Sequence, residues 1–111
     1  MESAPSRRGL RIVYFQPVKF LKPEEMLAQG VDLGLDGIGM RSRRPLEKDT
    51  PVELELFGGK AIFTSLVRWC RPLGSGFRIG VQFRDGDVAL VAQVLEMRTE
   101  VPKTFGSLEL K

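Results

Sequence analysis

The sequence predicts a mainly β fold, a small six-stranded antiparallel barrel followed by one C-terminal α-helix. Three observations carry that prediction. Short runs of β-branched, aromatic and alternating apolar residues recur along the chain, each bounded by Gly, Pro or Asp turn signals. The apolar period changes from two to about 3.6 only once, after Gly86. With 111 residues, 42% of them hydrophobic, the chain has material for one domain with a modest core, and a closed barrel leaves so small a sheet without exposed edges.

Residues 1–10 combine Pro5, two serines, Gly9 and arginines without apolar periodicity and read as a flexible basic arm. The barrel and helix are expected over residues 11–98, with a tail over 99–111. Ile12 to Phe15, extended by Val18 and Phe20, form the first strand, and Pro17 marks an edge position or an irregularity within it. Lys22-Pro23-Glu24-Glu25 is a turn; Met26 to Leu33 reads as the second strand in preference to a short helix opened by Pro23. Gly34, Gly37 and Gly39, interleaved with Leu35, Ile38 and Met40, suit a tight turn where the backbone takes a positive φ or approaches something closely. A polar loop over residues 43–51 follows. Val52, Leu54 and Leu56 then alternate with Glu53 and Glu55 as a half-buried strand with an acidic outer face.

Gly58-Gly59 marks a hairpin into a strand from Ala61 to Cys70, and the turn Leu73-Gly74-Ser75-Gly76 leads to the last barrel strand, Phe77 to Phe83. Val88, Val91, Ala92 and Leu95 fall at i, i+3, i+4 and i+7 behind Asp87 as N-cap, which predicts a helix from Val88 to Arg98. Pro102 and Gly106 stop it. Val101, Phe105, Leu108 and Leu110 give the tail an apolar side suited to weak docking on a groove or partner.

The formal net charge is +3, from 17 Lys+Arg against 14 Asp+Glu. The arginines cluster at Arg7, Arg8 and Arg11, at Arg41, Arg43 and Arg44, and at Arg68 and Arg71, which suits phosphate-rich partners or simply a solvated basic face. Nucleic acid is disfavoured as a partner, because Tyr14, Phe15 and Trp69 are assigned to the core rather than to a stacking face. No apolar stretch approaches the roughly 20 residues of a membrane span, and the N-terminus lacks the apolar segment of a signal peptide, so a cytoplasmic location is expected.

Cys70 is the single cysteine, which agrees with a reducing compartment; a buried structural thiol is favoured over a reactive thiolate beside Arg71. Histidine is absent, which excludes Ser/His/Asp and Cys/His catalysis within the chain. Neither enzyme activity nor a metal or cofactor is expected, and Glu53/Glu55 read as a solvated strand face.

Two stretches remain, Ser6-Arg7-Arg8-Gly9-Leu10-Arg11 and Asp32-Leu33-Gly34-Leu35-Asp36-Gly37. In this order, followed by the meander and the terminal helix, they resemble the PilZ family of bacterial cyclic di-GMP receptors over about Arg7 to Arg98. Gly76-Phe77-Arg78-Ile79-Gly80-Val81-Gln82-Phe83 is similar to that family's last barrel strand. The resemblance implies a PilZ-like barrel and cyclic di-GMP as ligand. It also implies Arg7 and Arg11 as the clamping arginines, with Arg8 adding charge or substituting for Arg7, and Asp32 and Gly37 as the platform, with Gly34 at the ligand site in place of a serine.

The chemistry is consistent with those roles. Guanidinium groups form charge-assisted hydrogen bonds with phosphate and pair with or stack on guanine. The Asp32 carboxylate can accept from the N–H edge of guanine, or it can cap its own turn. Gly37 permits close backbone approach. Gly34 stands where the family pattern has serine, and losing one hydrogen bond to a charged group costs about 1.5–3 kcal/mol, roughly ten- to a hundredfold in affinity.

Two functions follow from the resemblance. In the first, the chain is a single-domain cyclic di-GMP receptor that binds between the arginine arm and the Asp32–Gly37 turn and relays the signal to an unidentified protein partner. In the second, it is a degenerate PilZ adaptor that no longer binds the dinucleotide and acts through protein contacts, for example in motility or pilus regulation.

Overall fold

Alternation of buried and exposed side chains builds seven strands in the computed structural model, which describes residues 10–97. Arg7 and Arg8 in the arm, Arg98 at the expected helix end and the 99–111 tail lie outside the described residues. The strands are β1 (Arg11–Val13), β2 (Pro17–Lys22), β3 (Met26–Gly34), β4 (Gly37–Ser42), β5 (Pro51–Leu56), β6 (Ala61–Leu73) and β7 (Gly76–Gly86). A helix, α1, occupies residues 88–97. Every pairing is antiparallel. The order β3-β2-β5-β6-β7-β4 returns to β3 through the β3–β4 pairing, so six strands close a barrel and β1 is an addition to it.

The expected first strand is two strands laid end to end along one edge of β3. Pro17, with no N–H and a fixed φ, opens β2 rather than continuing β1. β2 pairs with the first half of β3, from Phe20↔Met26 to Pro17↔Gln29, and β1 with the last residues, Arg11↔Gly34 to Val13↔Asp32. Between them the chain bends past Gly30, where a Cβ would lie 2.5 Å from the Tyr14 carbonyl oxygen. The bend turns Tyr14 into the core but leaves Phe15 69% exposed, against the expectation that both are core residues.

The glycine-rich segment also departs from expectation, because most of it is a strand. The turn itself is only Leu35–Asp36, and Gly37 and Gly39 lie in β4 without positive φ. Ile38 and Met40 fill the barrel while Gly37 and Gly39 face outward, so their lack of a side chain serves close approach and not backbone reversal. Positive φ glycines occur instead at Gly58, Gly59, Gly74 and Gly86.

The lumen is packed with fully buried residues from all six barrel strands, among them Val18, Leu33, Met40, Leu54, Val67 and Ile79. Phe63 stacks on Phe83 with ring centroids 4.3 Å apart. Asp87 caps α1 as expected, its Oδ1 accepting from the Leu90 N–H at 3.1 Å. Val91 and Leu95 are buried, whereas Val88, expected on the same face, is 40% exposed at the first turn. Among the described residues no helix is long and apolar enough to cross a membrane.

Tyr14 also fastens the turn after β5. The Phe57 N–H donates to its hydroxyl at 2.8 Å, and the two rings meet edge to face at 5.5 Å. Burial raises the Tyr14 hydroxyl above its ordinary value near 10, and the donation from Phe57 opposes that shift. The folded state thus keeps a proton that the unfolded chain releases, so this contribution is complete below about pH 10 and is lost as pH rises through the folded value. Tyr14→Phe is expected to cost about 1–2 kcal/mol at neutral pH by orphaning the Phe57 N–H. Denaturant titrations at neutral and alkaline pH check both points: the variant should lose less stability than wild type above the tyrosine range.

Candidate functional site

Strand register assembles a cleft on the outer wall formed by β3, β4, β7 and β6. In one row across the four strands Asp32 pairs with Gly39, Gly39 with Gly80, and Gly80 with Trp69. Two glycines therefore lie between a carboxylate and an indole. Both side chains lean over that floor: a Cβ on Gly39 would lie 2.6 Å from Asp32 Oδ1, and one on Gly80 would lie 2.3 Å from Trp69 Cε2. The next row runs Gln29, Arg41, Arg78, Arg71, so three arginines stand side by side along one border of the floor.

A register shift between Val67 and Trp69 sets the indole on this surface. Val67 points into the core opposite Val81, and after the extra residue Arg68 the next pair is Trp69↔Gly80, with Trp69 facing outward. Trp69, expected in the core, is instead half-buried beside the cleft. The Arg71 guanidinium lies 4.5 Å from its ring centroid and that of Arg78 5.9 Å. Cys70, the next residue, is half-buried.

Arg11 closes the opposite border. Its Nε and Nη2 donate to Asp32 Oδ1 at 3.3 and 3.1 Å, its Nη1 to Asp36 Oδ1 at 3.3 Å, and its Nη2 also to the Gly37 carbonyl at 3.3 Å. Arg78 Nη2 lies 3.6 Å from the other Asp32 oxygen, so that carboxylate joins both arginine borders. The cleft encloses about 690 Å³ and is lined by Arg11, Arg68, Arg71 and Arg78 against Asp32 and Asp36, a net excess of two positive charges.

Of the residues singled out in the sequence, Arg11, Asp32 and Gly37 are brought together here, along with Arg68 and Arg71 of the third arginine cluster. Arg7 and Arg8 lie outside the described residues. Gly34 does not line the cleft; it lies under Arg11 in the β1–β3 pairing, where a Cβ would be 2.7 Å from Arg11 Nη1. Sequence reasoning gave no role in the site to Asp36, Trp69, Arg78 or Gly80, and noted Arg71 only as part of a basic cluster. The signal available for Trp69 was its place as the one tryptophan of the chain, between Arg68 and Arg71; Arg78 and Gly80 lie within the 76–83 run of the adjoining strand, and Asp36 within the 32–37 stretch. Among the described residues no group of three or more Cys, Asp or Glu side chains is placed to hold a metal ion.

Comparison with curated proteins finds no match. The family model described as PilZ domain matches residues 5–98, from before β1 to just past the described part of α1. That family consists of cyclic di-GMP-binding-type domains that act as binding and adaptor modules rather than as enzymes. The closed six-stranded antiparallel barrel with its C-terminal helix is the fold such a match requires. This chain belongs to the PilZ domain family.

Proposed function

We propose that the chain is a cyclic di-GMP receptor whose ligand lies over the glycine floor and whose bound state is recognised by a protein partner. One observation carries this reading: a flat floor of Gly39 and Gly80 lies between a hydrogen-bond acceptor, Asp32, and a stacking surface, Trp69, with arginines along its borders. A purine edge with adjacent N–H donors fits the carboxylate, and a purine face fits the indole and the guanidinium planes. The cleft's two excess positive charges match a ligand with two phosphodiesters. Arg7 and Arg8, earlier in the sequence, carry the same guanidinium chemistry. A domain of this kind acts through the surface it presents, so signal transfer runs through a partner that distinguishes free from bound protein. A cytoplasmic setting accords with a soluble dinucleotide ligand.

Calorimetric titration of cyclic di-GMP into wild type and Arg11→Ala tests the proposal. Arg11→Ala is expected to weaken binding by about tenfold, the loss of one charge-assisted contact. Equal affinity of the two proteins would remove Arg11 from the site. Absence of heat with wild type at the highest practical ligand concentration favours the adaptor reading. That second reading draws its support from the ion pairs of Arg11, whose guanidinium is engaged by Asp32 and Asp36.

A further inference from the structure

Asp36 belongs to no role derived so far, yet its carboxylate faces Arg11 across the mouth of the cleft. Its main chain is fixed independently, because its carbonyl oxygen accepts from the Phe83 N–H at 2.8 Å and ties the β3–β4 turn to β7. The side chain is thus presented from a rigid base. Arg11 reaches it by folding flat over Gly34, and that path exists only because residue 34 has no Cβ: the nearest atom to one would be Arg11 Nη1 at 2.7 Å, followed by the Leu10 carbonyl at 3.2 Å and Arg11 Cγ at 3.3 Å. The guanidinium so placed meets two carboxylates and one carbonyl.

We propose that Asp36, with the gap at Gly34, is an affinity-determining pair that holds Arg11 down in the ligand-free protein and competes with an anionic ligand for it. A phosphate arriving at Arg11 must displace Asp36 or share the guanidinium with it, and the carboxylate also repels the phosphate. Asp32 differs in kind, since Arg78 remains beside it when Arg11 leaves. Asp36 has no second cation among the described ion pairs. The contact is half-exposed, with side-chain accessibilities of 37% for Arg11 and 54% for Asp36, so it sets a modest threshold rather than a lock.

The competition rests on the cyclic di-GMP reading above, whereas the hold on Arg11 does not. Two measurements separate them. In the ligand-free protein, nitrogen exchange spectroscopy reads rotation about the Arg11 Nε–Cζ bond. Slower rotation in wild type than in Asp36→Asn is expected, and equal rates overturn the hold. In titrations with cyclic di-GMP, Asp36→Asn is expected to bind about two- to fivefold more tightly than wild type. The gain should vanish in a Gly34→Ala background, where the added methyl group already lifts Arg11 away. Unchanged or weaker binding by Asp36→Asn overturns the competition, as does the same gain in both backgrounds. Failure of every variant to bind overturns the cyclic di-GMP reading and the competition together, and the rotation measurement still decides the hold.

Discussion

Gly37→Ala is expected to lower the melting temperature by roughly 10–20 °C, the consequence of an overpacking cost of about 2–3 kcal/mol in a domain of this size. A Cβ at Gly37 would lie 2.1 Å from the Val81 carbonyl oxygen and 3.1 Å from its carbon. Those are backbone atoms of the adjoining strand, so no rotamer change relieves the contact; β4 and β7 must separate at the pair Gly37↔Gln82. Gly39→Ala is the informative contrast. Its closest contact is the end of the Asp32 side chain, which can swing, and its stability loss should be smaller.

Thermal unfolding followed by circular dichroism compares the two. A Gly37→Ala protein melting within about 2 °C of wild type would show that the strands yield more easily than the geometry implies. The result bears on function as well. Lost ligand binding after substitution at Gly37 would report an opened barrel wall and not a missing contact to ligand.

Trp69→Ala is expected to weaken cyclic di-GMP binding by ten- to a hundredfold, the scale of about 1–3 kcal/mol for removing an aromatic partner from a stacked base. The indole is half-buried and sits outside the lumen, so the barrel should stay folded. As the single tryptophan of the chain, it also reports directly. Stacking of guanine on it should quench its fluorescence in proportion to occupancy. Gly80→Ala tests the same surface from beneath, since the new Cβ would be within 2.3–2.6 Å of three indole atoms and must lift the ring. Its emission should shift without ligand, and its affinity should fall toward that of Trp69→Ala. If Trp69→Ala binds as tightly as wild type, the indole does not stack on the ligand.

The barrel was legible because most of its strands declare themselves through alternation, as Val52, Leu54 and Leu56 do in β5. β4 did not, for a physical reason. Half of its alternation consists of Gly37 and Gly39, whose outward places are taken by the Val81 backbone and the Asp32 carboxylate. Glycine density reads as a turn when it is seen without the neighbours that require it.

The site divides similarly. Arg11, Asp32 and Gly37 lie within one local unit, β1 to β4, and carry a spacing that can be recognised. Trp69, Arg71 and Arg78 reach the same cleft from β6 and β7, and only a one-residue register shift turns the indole outward. Nothing in the Ala61–Cys70 pattern fixes where that shift falls. Gly34 shows the reverse case, since its sequence position suggested a missing hydroxyl and the structure gives it a steric consequence for Arg11.

β1 lies outside the closed ring, and among the described residues its backbone ladder is three residue pairs, Arg11↔Gly34, Ile12↔Leu33 and Val13↔Asp32, supplemented by the Arg11 side-chain contacts. Its detachment breaks no barrel seam. The segment that carries Arg11 can therefore open as a separate cooperative unit, with a free energy well below that of global unfolding. Its amide hydrogens would exchange by local fraying, while those of β5 to β7 wait for the whole barrel. On the proposed cyclic di-GMP reading, ligand affinity and fold stability are set by different equilibria, and substitutions at the β1 seam are expected to tune the first while leaving the second in place.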